Sequence, residues 1–249
     1  MSEKIYRLHY RGQLKEDISM EEVQKAADLC VENIRRAQKG KKVLTAALYY
    51  SDRMLFFYYE AIGEPLAVAE LESLKEGMIP ESGEDVQSTC LHPDELLVPL
   101  APFLQVWPGQ TDDRLWVHMY YIYYHNEPES VADWARAAKP ELRRGRIAFL
   151  RDDKLFSYVY YHKALVDEGL LLGDRYQSIA LHENILFSYF EEPKTLSNVK
   201  KDFTKESEVI NEWLAVDPES HFIHRPEGNG ENFMFIPALF AVGVEDLSE

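Results

Sequence analysis

Cysteine is nearly absent from these 249 residues: only Cys30 and Cys90 occur, far apart in the chain. Two thiols so placed build neither a disulfide framework nor a cysteine-based zinc site. Long apolar runs are missing as well. The longest candidate, residues 115–124, is interrupted by His118 and falls short of the roughly 18 apolar residues that a membrane helix needs. There is no Walker loop, dinucleotide glycine fingerprint, Gly-x-Ser-x-Gly elbow, His-Glu-x-x-His or Cys-x-x-Cys pattern. The opening Met1-Ser-Glu-Lys-Ile-Tyr has no apolar region of a secretory signal, so the cytoplasm is the expected compartment. Positive charge is also in short supply. The 27 Lys and Arg face 43 Asp and Glu, a formal charge of −16. A field of that sign repels nucleic acid and anionic membranes, so neither is expected as a partner. The short basic clusters Lys39-Gly-Lys-Lys42 and Arg143-Arg144-Gly-Arg146 read as helix-end charge. Residues 60–95 hold ten acids and one lysine, which gives −9 of the −16; without EF-hand spacing, the run reads as a solvated segment.

What is abundant is aromatic: 15 Tyr, 12 Phe and 4 Trp, gathered mostly in strand-like stretches. Residues 5–11 alternate only loosely and read as a strand before Gly12. Ser19-Met-Glu-Glu22 has the form of a capping box, and Val23, Ala27, Cys30 and Ile34 follow at helical spacing. Arg35, Arg36 and Lys39 complement the helix dipole ahead of Gly40. Three hairpins are expected: 43–50 with 54–62, 146–151 with 154–161 turning at Asp152-Asp153, and 176–181 with 185–190. Their second strands resemble one another, as Leu55-Phe-Phe-Tyr58, Leu155-Phe-Ser-Tyr158 and Leu186-Phe-Ser-Tyr189. Residues 66–76 and parts of 94–104 read as helical, as do 195–214, where Leu196, Val199, Phe203, Ile210 and Trp213 follow Thr195. Closing strands are expected at 115–124 and 233–242, the second carrying Pro237. The order β-α-β-β-α-β then occurs twice, giving an α+β protein of two ferredoxin-like halves, 1–127 and 128–249, with a helical connection over 128–144. The strand at 146–151 has no place in a simple duplication.

The stretch Tyr176-Gln-Ser-Ile-Ala-Leu-His-Glu-Asn-Ile-Leu-Phe-Ser-Tyr-Phe-Glu191 resembles the hairpin of the L-rhamnose mutarotase family. Residues 44–60 look like a looser copy, and Pro140-Glu-Leu ahead of Arg146-Ile-Ala-Phe is similar to that family's helix-to-hairpin junction. The resemblance implies a dimeric-type α/β barrel, here formed by two units of one chain around a pocket. It also implies sugar mutarotation without a cofactor. Family members carry a His and a Tyr on the first helix, and helix 19–39 has neither, which moves the expected site to the second half.

Mutarotation requires a general acid and base near the ring and anomeric oxygens, with aromatic surface against the sugar. His162 is the expected acid/base, assisted by Glu191 or Glu60; Tyr161, Tyr189, Trp213, His118 and Tyr58 are the expected ligand-binding side chains. For Glu60, His118, His162 and Glu191, the alternative is an exposed strand end. For the tyrosines it is a core or interface role; Tyr121 and Tyr123 should share one strand face, Tyr120 and Tyr124 the other. His221 and His224 beside Glu219 lie in a loop with no further ligand cluster, so no metal is expected. The expected ligand is a small polar molecule or carbohydrate, and the expected state a monomer or homodimer. A non-catalytic binding or scaffold protein with a filled barrel is the competing reading.

Overall fold

The computed structural model describes residues 3–64, 90–108, 113–124, 126–169, 171–194, 200–201 and 206–248. The chain is α+β and divides into two compact units, one of residues 1–120, 128–139 and 237–249, the other of 121–127 and 140–236. The division therefore does not follow 1–127 and 128–249, because the C-terminal strand belongs with the first unit.

In the first unit, β1 (Lys4–Gln13) leads to α1 (Met20–Lys39) and to the hairpin of β2 (Val43–Ser51) and β3 (Met54–Gly63). Helix α1 forms as its period requires, burying Val23, Ala26, Ala27, Cys30 and Ile34. The capping box does not: the Ser19 side chain makes no cap bond, and its backbone carbonyl accepts from Glu22 and Val23 instead, both at 3.1 Å. The β2–β3 turn places Asp52 at a left-handed φ of 51°, a conformation Asp tolerates. A short α2 (Pro93–Leu96) does carry a complete capping box, from His92 and Glu95, and is followed by a 3-10 turn over Val98–Phe103. The helix expected at 66–76 lies outside the described residues.

The expected closing strand 115–124 is two strands, β4 (Trp116–His118) and β5 (Tyr120–Tyr124), broken at Met119. The connection at 128–144 contains only one helical turn, α3 (Val131–Trp134); by Leu142 the chain is already extended. In the second unit, β6 (Leu142–Leu150) is followed by α4 (Leu155–Glu168). The hairpin expected at 146–161 is thus a strand and a helix. Tyr158, His162 and Leu165 bury one helical face, and Gly169, at φ 65°, supplies the left-handed C-cap. After β7 (Leu171–Leu172) come β8 (Ser178–His182) and β9 (Ile185–Glu192), the hairpin anticipated at 176–190.

β10 (Lys200–Lys201) pairs with β7, so residues 195–214 do not form one helix. Within that range, α5 (Glu208–Ala215) starts at Ser207, whose hydroxyl accepts from the Ile210 amide at 2.9 Å, and it carries Ile210 and Trp213. Leu196, Val199 and Phe203 lie outside the described residues. β11 (Phe222–Ile223), β12 (Met234–Ile236) and β13 (Ala238–Gly243) complete the chain, the last two separated by Pro237 where one strand was expected.

The first sheet has the order β13-β2-β3-β1-β4 and the second β11-β6-β9-β8-β5, with β12 also on β6. Taking each unit's own strands in chain order, both sheets read 2-3-1-4. In both, the additional edge strand beside the second strand comes from the chain's other segment. β5 continues from β4 and joins β8, while β13 continues from β12 and joins β2. The strand at 142–150 is therefore the first strand of the second unit and not a surplus one. No helix among the described residues is long and apolar enough to cross a membrane.

Candidate functional site

Strand alternation sorts the first sheet into two faces. Tyr6, Leu8 and Tyr10 of β1 and Leu55, Phe57, Tyr59 and Ala61 of β3 join the core that packs on α1. The opposite face therefore carries Arg7, His9 and Arg11, which lie across from Glu60, Tyr58 and Phe56 in the antiparallel register. All six are buried. Three basic side chains at a two-residue period, without exposure, are costly unless they are paired or used.

Glu60 anchors this face. Its Oε1 accepts from the Tyr58 hydroxyl at 2.8 Å, from Trp134 Nε1 at 2.9 Å and from Arg136 Nη2 at 2.7 Å, while Oε2 accepts from Arg136 Nη1. Burial alone raises a carboxyl pKa, but the Arg136 charge and hydrogen bonds, with Arg7 and Trp134, outweigh it and hold Glu60 below its ordinary value. Arg7 Nε donates to the Tyr58 hydroxyl at 3.1 Å, and its guanidinium lies 5.0 Å from the Trp134 ring. The His9 ring sits 4.9 Å from Tyr58. Its pKa is driven well below the ordinary imidazole value by burial first, then by the charges of Arg7 and His118. His9 is thus a neutral imidazole, with one donor and one acceptor nitrogen. Arg11 lies 5.1 Å from the Trp107 ring.

The second sheet repeats part of this set. Arg143, Gly145 and Ile147 of β6 lie across from Glu191, Tyr189 and Phe187 of β9. Tyr189 donates to Glu191 Oε1 at 2.7 Å, and Arg143 Nε lies 3.9 Å from the same oxygen. An Arg–Tyr–Glu set is therefore common to both units. His9 and Arg11 are particular to the first, where the second has Gly145 and Ile147. The Arg143-Arg144-Gly-Arg146 cluster lies on β6 and not at a helix end.

The expected site residues fall into separate groups. Tyr58 and Glu60 are bonded neighbours in the first unit, as Tyr189 and Glu191 are in the second. His162 lies within α4, where its Nδ1 is 2.9 Å from the Tyr158 carbonyl and its ring stacks on Tyr158 at 3.8 Å. Trp213 is 5.0 Å from His162 and 5.6 Å from Tyr161, so these three do meet. They meet, however, against the helix-side core of Ile122, Tyr123, Leu186 and Ile210, whereas Tyr189 and Glu191 occupy the other face of that sheet. His162 and Glu191 are not brought together. Burial pushes the His162 pKa to about 4, so it is a neutral core imidazole. His118 lies across from Tyr10 on the helix side of the first sheet, its ring 5.2 Å away.

Exposed strand ends do not account for Glu60, Glu191 or His162, all of which are buried. Tyr121 stacks on Tyr124 at 4.5 Å, which departs from the expected placing of these two on opposite faces. Among the described residues, no three His, Cys, Asp or Glu side chains are grouped to hold a metal ion.

Arg7, His9 and Arg11 were discoverable from their spacing in Arg7-Leu-His-Tyr-Arg11. Trp134 and Arg136 were not, since they reach Glu60 from 74 and 76 residues further along the chain.

No family model matches the chain, and no curated protein matches it. Among solved structures, the chain is similar to a "putative monooxygenase" from Lactobacillus acidophilus NCFM at 8% identity, with 96% of each chain covered and a TM-score of 0.40. It is also similar to a "Putative monooxygenase" from Fusobacterium nucleatum subsp. nucleatum at 10% identity, covering 97% of this chain and 95% of that one, with a TM-score of 0.38. At these scores the likenesses carry no argument about this chain's chemistry.

Proposed function

We propose that the chain binds a small polar ligand, a sugar or a molecule of similar polarity, on the first sheet's face at His9, Arg11 and Tyr58. We further propose that its units are ferredoxin-like repeats paired as a dimeric-type α/β barrel. The shared 2-3-1-4 strand order and the reciprocal donation of edge strands β5 and β13 support the architecture. One observation carries the site: the Arg–Tyr–Glu set recurs in both units, while His9 and Arg11 extend it only in the first. A feature present in both sheets is explained by the fold they share; one present in a single sheet calls for a separate cause.

The side chains suit hydroxyl recognition. Neutral His9 offers a donor and an acceptor and Arg11 a planar fork for an oxygen, while the buried Tyr58, 4.9 Å from the His9 ring, backs them. The sugar class rests on the mutarotase resemblance of residues 176–191. In proton transfer, His9 takes the role first given to His162; four hydrogen bonds occupy Glu60 as a positioning group, and the Tyr58 hydroxyl is committed as well, donating to Glu60 and accepting from Arg7 Nε. The reading needs no cofactor and belongs with a cytoplasmic monomer or homodimer. The competing reading, a filled non-catalytic scaffold, draws on Phe56, Tyr58, Phe187 and Tyr189, none of which has measurable exposure.

Saturation-transfer NMR with a panel of free aldoses, read together with anomer exchange rates, separates these outcomes. Binding that weakens in His9→Gln supports the site, and faster exchange lost in the same variant adds catalysis. A flat response across the panel defeats ligand binding and leaves the scaffold.

A further inference from the structure

We infer that the second unit holds a nucleophile–base pair, Ser157 and His221, able to take the acyl group of a small uncharged ester. Ser157 stands in the first turn of α4, and its Oγ lies 2.9 Å from His221 Nε2. On the other side of the ring, His221 Nδ1 lies 3.1 Å from the Asp217 carbonyl. A carbonyl only accepts, so Nδ1 carries the proton and Nε2 presents its lone pair to the serine hydroxyl. Nucleophile, base and orienting acceptor therefore stand in the order that serine acyl transfer requires.

The orienting carbonyl is itself fixed. Asp217 has a left-handed φ of 53°, and its oxygen also accepts from the Ser220 amide at 3.0 Å and the Ser220 hydroxyl at 2.7 Å. Trp213 and Tyr158 confine the imidazole, with ring centroids 4.9 and 6.2 Å away. His221 is wholly buried whereas Ser157 is half-buried, which leaves the nucleophile approachable and the base shielded. These residues belong to neither the Arg–Tyr–Glu sets nor the proposed ligand face. The aromatic surroundings of Trp213 and Tyr158 favour an uncharged ester over an anionic one.

In the step inferred, Ser157 Oγ bonds to the ester carbonyl carbon and its proton passes to His221 Nε2. The carbon–oxygen bond to the leaving group then breaks, and His221 returns the proton to the departing oxygen. Water, deprotonated by Nε2, releases the carboxylic acid and restores the serine.

The test uses the full chain with p-nitrophenyl acetate and, separately, an alkyl fluorophosphonate, which forms an Oγ–P bond as fluoride and the serine proton leave. Intact mass and peptide mapping should show one adduct, on Ser157, with none in Ser157→Ala. In His221→Gln, adduct formation should slow by about 100-fold or more, the contribution of a positioned base. No adduct on Ser157 in the folded wild type, or an unchanged rate in folded His221→Gln, overturns the inference and makes the contact a core hydrogen bond. Should either variant fail to fold, the adduct's position in the wild type decides alone.

Discussion

Glu60 and Arg136 form a buried ion pair whose charges are reinforced by Tyr58 and Trp134. Glu60→Gln keeps the shape but leaves the guanidinium without its counter-charge. Unfolding in urea at pH 7 should show a loss of about 3–5 kcal/mol, the usual cost of breaking such a pair from one side. The same carboxylate gives an acid-sensitive contribution. Its folded pKa lies below the ordinary 4.5, so the unfolded state takes up the proton first. The stabilisation is complete above the unfolded value and is lost as pH falls through the folded one, a slope that Glu60→Gln should remove.

His162 acts in a higher window. Unfolded, it protonates near 6.5; folded, it stays neutral until about 4. Stability should therefore decline as pH drops across that interval, by roughly 3 kcal/mol for this group. Thermal melts of His162→Phe should be flatter there than wild type, although His9, lowered in the same direction, leaves part of the slope in place. At this scale the sequence marked Glu60, Glu191, Tyr58 and Tyr189 by residue type within strands. It did not show that Glu60 is saturated by Trp134 and Arg136, because that pairing depends on how a distant connection folds back.

Among the elements, α1 and the hairpins at Asp52 and at Glu183-Asn184 were legible, since each joins a clear period to a turn or helix-end signal. Helix α4 was not. Leu155-Phe-Ser-Tyr158 matches Leu186-Phe-Ser-Tyr189 over four residues, while the helical spacing of Tyr158, His162 and Leu165 emerges only over a longer window. Phe156, 90% exposed, further obscures the apolar face. Strand β1 offers a test of packing between strands. Gly12 lies across from Trp116, and a Cβ at that position would stand 2.8 Å from the indole. Gly12→Ala should destabilise by about 1–3 kcal/mol in urea unfolding. Adding Trp116→Leu should make the pair less harmful than the sum of the two changes, since the smaller side chain vacates the clashing volume.

For the whole molecule, the informative feature is the reciprocal donation of edge strands, which a β-α-β-β-α-β reading of each half cannot contain. Met119 and Pro237 mark the places where each expected closing strand breaks and the chain joins the other sheet. A chain ending at Ile236 loses β13, with Leu239 and Phe240 from the first core. Hydrogen exchange should then quicken in β2, whose edge is uncovered, while β6 and β9 keep their protection.

The asymmetry between the sheets also locates the proposed site: both carry Arg–Tyr–Glu, but only the first adds His9 and Arg11. Amide chemical-shift mapping on the full chain, using the aldose with the strongest saturation transfer, tests this most directly. The largest shifts should fall at residues 7–11 and 56–60, and His9→Gln should diminish them. Shifts confined to α4 and α5, or centred on 143–147 and 187–191, would contradict the account.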